Sequence, residues 1–429
     1  MTTTYPTITT PRGAKTINPA APGVSYYTPA QNPPAGTALP IGGAAAAGNA
    51  TAAVPTLFTP LTIRGVTLAN RLGVSPMCMY SADDGHMTDF HLVHLGQFAL
   101  HGTGLTIVEA TSVAPDGRIS PDDAGLWQDS QIAPLKRVAD FVHAQGHKIG
   151  IQLSHAGRKA STLALWIANV PHDLHKVADA AAGGWPDRVG LVADYAAAAR
   201  RAVAAGIDVI ELHGAHGYLI AQFLSPLSNR RTDAYGGSFA NRTRFLRDVA
   251  AAVRAVIPAT TPLFLRIIGT EWVDDAPGDP ASWTIQDTIR LAKLLPDWGI
   301  DLLDVSSGGN WETQNTPFHD TYYQTNLAAA VRQSLEADGD GDGGGGANKT
   351  ARQLLVSTVG NIATPELAQE VTQVGGVPGG RVVEADMVFI ARGFLRDPAF
   401  VLRAAHQLGV AVKWPNQYVV AQWEPGTKI

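Results

Sequence analysis

From about Leu57 onward, short β-branched apolar runs alternate with longer stretches in which apolar residues recur every three to four positions. The first pattern belongs to strands buried on both faces, the second to helices with one buried stripe. The runs predict eight strands, at 72–77, 105–110, 148–153, 209–212, 263–268, 302–306, 354–359 and 387–390. Helical stretches fall between and after them, near 90–101, 130–145, 192–205, 242–257, 284–298, 323–335, 364–373 and 399–407.

Local signals support several of these helices. Tyr195, Ala199, Ala202 and Val203 share one face, and Gly206 follows where a left-handed stop is expected. Phe245, Val249, Ala252 and Val256 form another stripe, ended by Pro258. Thr364-Pro365 and Asp397-Pro398 each place a capping side chain before a proline at the first helical position.

Eight strand–helix repeats with no second block predict an α/β fold, a single (β/α)₈ barrel over residues 56–418. Residues 1–55, rich in Thr, Pro, Ala and Gly, are expected to be a disordered or loosely docked arm, and 419–429 a tail. A doubly wound sheet would need a glycine-rich dinucleotide turn after its first strand, where this chain has Cys78-Met79-Tyr80-Ser81. Two segments break the rhythm. Residues 160–191 form a long, helix-poor connection. Residues 337–348 imitate the first half of a calcium loop, but Lys349 stands where a bidentate glutamate belongs, so this segment is expected to be a flexible insert.

Composition narrows the function. A net charge of −5 gives no electrostatic case for nucleic acid or an anionic membrane surface as a partner. No window is long and apolar enough for a membrane span. The single cysteine excludes a disulfide framework, a zinc ribbon or a four-cysteine cluster, and fits a reducing compartment; the expected location is cytoplasmic.

In a barrel of this kind the carboxyl ends of the strands face one site. Cys78 and Tyr80 follow the first strand, Ala110 ends the second, and Gln152 lies on the third. His213, His216 and Tyr218 follow the fourth, Arg266 lies on the fifth, Gly360 follows the seventh and Arg392 the eighth. Two imidazoles and a phenol at one strand end suit polarising a carbonyl and moving a proton. No carboxylate or thiol ligand accompanies the His-x-x-His pair in the sequence, so no metal is expected. His155 and Lys159 are open to loop-ordering or substrate-contact roles; Asp233, Tyr235 and Arg242 are expected to shape their loop.

The chain resembles the old yellow enzyme family of FMN-dependent ene-reductases, in its thermophilic-like branch and most like fungal members. The motifs that carry the resemblance are SPMCMYS from Ser75, IVEATSV from Ile107, GIQLSHAGRKA from Gly150, IELHGAHGYLIAQFLSPLSNRRTDAYGGS from Ile210 and FIARGFLRDP from Phe389. It implies that the backbone from Ser75 through Pro76 and Met77 to Cys78, with Ala110, lines a flavin ring. Gln152 would bond the ring's pyrimidine edge, Arg266 would sit where negative charge collects on reduction, and Gly360, Ala391 and Arg392 would hold the 5′-phosphate. His213 and His216 would bind a substrate carbonyl, Tyr80 would share that wall, and Tyr218 would protonate the α-carbon. NADPH would be the reductant and a small enone or enal the substrate.

Two departures from the resemblance stand out. Relatives carry a capping hairpin after the position of Lys159, and its length is missing before the helix near Val192. Many relatives also end with an arginine reaching into a neighbouring subunit. Here Gln417-Tyr418 is followed by Val419-Val420-Ala421-Gln422-Trp423, so a homodimer is expected to lack that cross-subunit arginine. Two alternatives stay open: a flavin-binding paralogue impaired by its short lid, and another FMN barrel of the dihydroorotate or dihydrouridine oxidoreductase type.

Overall fold

A computed structural model describes residues 8–9, 15–16, 18–40, 54–160, 162–164, 166–167, 190–273, 281–339, 354–374, 384–423 and 427. The missing-hairpin region and most of the 337–348 insert therefore lie outside the described residues.

Two short antiparallel ribbons precede the repeats: β1 (Ile8–Thr9) with β2 (Lys15–Thr16), and β3 (Leu61–Ile63) with β4 (Val66–Leu68). The apolar runs then become β5 (Leu72–Val74), β6 (Leu105–Ser112), β7 (Lys148–Ser154), β8 (Val209–Gly214), β9 (Leu263–Ile268), β10 (Leu302–Ser306), β11 (Leu355–Val359) and β12 (Met387–Ile390). These eight pair in parallel and in chain order, and β12 closes on β5 to complete a barrel. Each residue of β8, β9 and β10 is buried, as strands with a packed interior inside and helices outside must be.

The helices are α1 (Asp89–Leu100), α2 (Ile132–Ala144), α3 (Leu191–Ala204), α4 (Leu219–Leu224), α5 (Phe239–Arg254), α6 (Ile285–Ala292), α7 (Thr325–Gly339), α8 (Pro365–Thr372), α9 (Arg392–Arg396) and α10 (Phe400–Gln407). Tyr195, Ala199 and Ala202 are buried on α3, and Gly206 has φ 88° just beyond it. Thr364 caps α8 by accepting from the Leu367 amide.

Four details differ from the sequence expectation. The first strand ends at Val74 rather than at residue 77, because Pro76 has no N–H to continue the ladder. The buried stripe of α5 is Phe245, Leu246, Val249, Ala250 and Val253; Val256 lies past the helix end. Asp397 does not cap α10 directly. It accepts from the Ala399 amide and from Arg403 Nε, and the helix starts at Phe400. Finally, β3 and β4 plug one end of the barrel, where Leu61, Ile63, Val66 and Leu68 pack with Leu105, Val209, Phe264, Leu302 and Met387 near the strand starts. The opposite end is left for chemistry.

The amino-terminal segment is docked where it is described. Gly36 N donates to Lys413 O and Leu39 N to Ala411 O, both at 2.8 Å, while Lys413 N returns a bond to Thr37 O at 2.9 Å. No helix of the described residues is long and apolar enough to cross a membrane.

Candidate active site

Parallel register sets side chains from adjacent strands side by side. Gln152 pairs with Glu211 across β7 and β8, His213 with Arg266 across β8 and β9, and Arg266 with Asp304 across β9 and β10. A buried polar layer results. Arg266 Nε donates to Asp304 Oδ2 at 2.6 Å, its Nη2 donates to Ser75 Oγ at 2.9 Å, and Glu211 Oε2 lies 4.0 Å from Nε. Gln152 Nε2 donates to Glu211 Oε2 at 2.6 Å, and Ser357 Oγ donates to Asp304 Oδ1 at 2.9 Å.

Burial alone would weaken the hold of Arg266 on its proton, but Asp304 and then Glu211 outweigh it and raise the pKa. For Glu211 burial dominates. It pushes the carboxyl up against the pull of Arg266, and Asp304 adds repulsion. Its Oε1 is buried with no hydrogen-bond partner, which suits a protonated acid better than a bare carboxylate. The arginine is an ion-pair residue, but a buried one. Glu211 and Asp304 were missed by sequence reasoning; each is a lone acid inside an apolar strand, which was the available signal.

Above this layer β8 ends in His213 and Gly214, and the chain turns sharply. His216 and Gly217 have φ 57° and 71°. A Cβ on Gly217 would collide with the Gly309 carbonyl, so only glycine fits. A left-handed histidine costs about 1–2 kcal/mol. Lys159 helps to hold it by donating to the carbonyls of both His216 and Gly309. Tyr218 then opens α4.

The rings of His213 and His216 meet edge-on at 5.2 Å between centroids, and those of His213 and Tyr218 at 4.9 Å. Lys159 Nζ lies 5.3 Å from the centre of the Tyr218 ring. Ala215 N donates to His213 Nδ1 at 3.3 Å, and His216 Nε2 lies 2.8 Å from Ser306 Oγ. Ser306 was also missed, and no local pattern marked it.

Burial, reinforced by Arg266 and Lys159, lowers His216 to about 3. Burial and then His216 hold His213 well below the ordinary histidine range. Both imidazoles are therefore neutral hydrogen-bonding groups. Burial pulls Lys159 down to about 8, with Arg158 adding repulsion. Burial raises the Tyr218 hydroxyl well above its usual value, so it keeps its proton. One expectation follows. Binding of a neutral hydrogen-bond acceptor at the pair should show no histidine inflection between about pH 5 and about pH 8. A histidine inflection in equilibrium titrations, lost in His216→Ala, would show that the pair is charged.

The same depression works against folding in acid. The unfolded chain binds protons that native His216 refuses. This penalty is absent above about 6.5, the unfolded value, and grows as pH falls until it is complete near 3.

The remaining candidates fall into two places. Cys78 packs with Tyr218 against Ala110, Ile119 and Ala156, and burial pushes its thiol up while the Ala110 backbone bonds it. Tyr80, with φ 50°, is raised by burial and packs edge-on to Trp166. Pro76 follows Ser75, and Met77 packs against the cluster containing Ile390 and Phe394. Gly360 lies farther round, with φ 106°, facing Gln324 and Tyr323. Arg392 is exposed beside Ala391 at the start of α9, near enough to Tyr323 to act on its hydroxyl.

His155 and Lys159 order loops here: His155 Nδ1 accepts from the Gly157 amide, and its carbonyl accepts from Leu219 N. Asp233 accepts from Arg231 and from the Tyr235 amide, and Arg242 donates to the Leu224 and Gly237 carbonyls. Among the described residues no group of three or more His, Cys, Asp or Glu is placed to hold a metal.

The donor set can be tested against a flavin. Gln152 has its amide nitrogen committed to Glu211, and its Oε1 makes no hydrogen bond among the described residues. Arg266 likewise keeps Nη1 unbonded among them. An acceptor beside a fixed cation fits the N–H and carbonyl edge of a flavin's pyrimidine ring.

Comparison with known proteins agrees. Residues 56–410 match the NADH:flavin oxidoreductase / NADH oxidase family. An NADH:flavin oxidoreductase of Gibberella zeae is 44% identical over 430 residues, covering 93% of this chain and 94% of the relative. An NADPH dehydrogenase of Bacillus cytotoxicus is 39% identical over 369 residues, covering 84% and 95%. Among solved structures, morphinone reductase superposes with a TM-score of 0.60 at 27% identity, covering 84% of this chain and 92% of that one. The chain belongs to the NADH:flavin oxidoreductase / NADH oxidase family, the FMN-dependent NAD(P)H oxidoreductases of old yellow enzyme type.

Proposed function

We propose that this protein is an ene-reductase, using NADPH to reduce the C=C bond of α,β-unsaturated ketones, aldehydes or imides. The observation that carries the reading is the packed trio of His213, His216 and Tyr218 at the end of β8. Gln152 and Arg266 would hold FMN, which would supply the two-electron chemistry linking NADPH to the alkene.

The chain's own residues do the rest. Two neutral imidazoles donate hydrogen bonds to the substrate carbonyl, which draws electron density from the β-carbon. One well-aimed donor to a developing oxyanion lowers a barrier by roughly 3–4 kcal/mol. Tyr218, kept protonated by burial, gives its proton to the α-carbon. Tyr80 shares the substrate wall. Arg266 supplies positive charge to the ring site, and Gly360, Ala391 and Arg392 hold the phosphate.

Anaerobic titration of the purified yellow protein tests this directly. NADPH should bleach the flavin absorbance, and cyclohexenone should restore it with formation of cyclohexanone. Heat-released cofactor should run as FMN on chromatography. A protein that bleaches but is not reoxidised by any enone, enal or maleimide is not an ene-reductase. A parallel titration with NADH settles the preferred donor.

A further inference from the structure

We propose that Ser306 fixes the tautomer of His216, so that the two imidazoles present opposite nitrogens to the substrate carbonyl, Nε2–H from His213 and Nδ1–H from His216. A neutral imidazole carries one N–H, and which nitrogen holds it is set by the partner of the other. For His213 the partner is a backbone amide. Ala215 N can only donate, so Nδ1 is the acceptor and the proton sits on Nε2.

For His216 the partner is a hydroxyl, 2.8 Å from Nε2, which has both a proton and lone pairs. If Ser306 accepted, His216 would turn a bare Nδ1 lone pair towards a carbonyl oxygen, and the two would repel. If Ser306 donates, Nδ1 carries the proton and the site has two donors. Neither His213 Nε2 nor His216 Nδ1 makes a hydrogen bond among the described residues, so both are available to a ligand. Ser306 is suited to hold a ring still. It is buried at the end of β10, and its own carbonyl is anchored by the Gly269 amide. Lys159 restrains the His216 carbonyl from the other side, so the residue is gripped at backbone and ring alike.

The choice of donor rests on the ene-reductase reading, but the tautomer can be read without any turnover. In ¹⁵N-histidine-labelled holoenzyme, with His216→Gln assigning the signal, the ring shifts should show His216 protonated on Nδ1. Ser306→Ala should mix the two tautomers and weaken cyclohexenone binding on the order of five- to tenfold, the worth of one hydrogen bond. Ser306→Thr, which keeps the hydroxyl, should restore both. FMN content and melting temperature should hold in all three proteins, unlike the outcome for a merely structural serine.

Wild-type His216 protonated on Nε2 would overturn the proposal, whatever the enzyme reduces. So would Ser306→Ala with an unchanged tautomer and affinity. Should the enzyme reduce no enone while His216 carries its proton on Nδ1, the tautomer lock stands and the activity assignment fails.

Discussion

Tyr218→Phe is expected to slow the reoxidation of reduced enzyme by cyclohexenone by roughly 10²–10⁴-fold, the usual worth of a positioned general acid. Flavin bleaching by NADPH should hardly change. The substitution removes one oxygen and keeps the ring, so the edge-on contact with His213 and the approach of Lys159 survive. Burial holds the hydroxyl proton tightly, so it leaves only for a strong base, such as the carbon next to a carbonyl once hydride has been added. Stopped-flow measurement of the two half-reactions separates the steps. Should both slow together in a folded variant, Tyr218 is not the proton donor.

Arg266→Ala is expected to destabilise the fold strongly. Removing one partner of a buried ion pair typically costs about 3–5 kcal/mol, because the other charge stays buried. Here Asp304 would keep only the Ser357 hydroxyl, and Glu211 would lose the cation that counters its burial. Urea unfolding of the apoprotein should show the drop, and FMN should dissociate more readily. Adding Asp304→Asn should recover part of the stability but not the FMN affinity. That split separates the structural share of Arg266 from its share in holding the cofactor. An unchanged urea midpoint in Arg266→Ala would mean the layer is solvated.

The barrel was legible because its strands are buried on both faces and so stand out as apolar runs. What escaped was short or sideways. The three-residue strands β3 and β4 and the six-residue α4 carry too few residues to show a period. Arg266 was visible as a charge on an apolar strand, yet its partners were not. They are set by lateral register across β8, β9 and β10, which no single stretch of sequence records. Ser306 lies 90 residues from His216 and meets it only because β10 ends beside the turn after β8. His213, His216 and Tyr218 needed no such closure, being neighbours along the chain as well as in space.

The bonds between residues 36–39 and 411–413 give the barrel a mechanical property. β5 and β12 form the one seam where neighbouring strands are the first and last of the ring, so no direct connection in the chain spans it. Ala38 and Val412 pack on the apolar cluster behind that seam, with Leu72, Val74 and Ile390. A force pulling the two ends apart would load the three backbone bonds of the clasp before it reached the seam. Residues 36–39 and 411–413 thus act as a buckle on a hoop, fastened beside the join by backbone bonds outside the strands themselves.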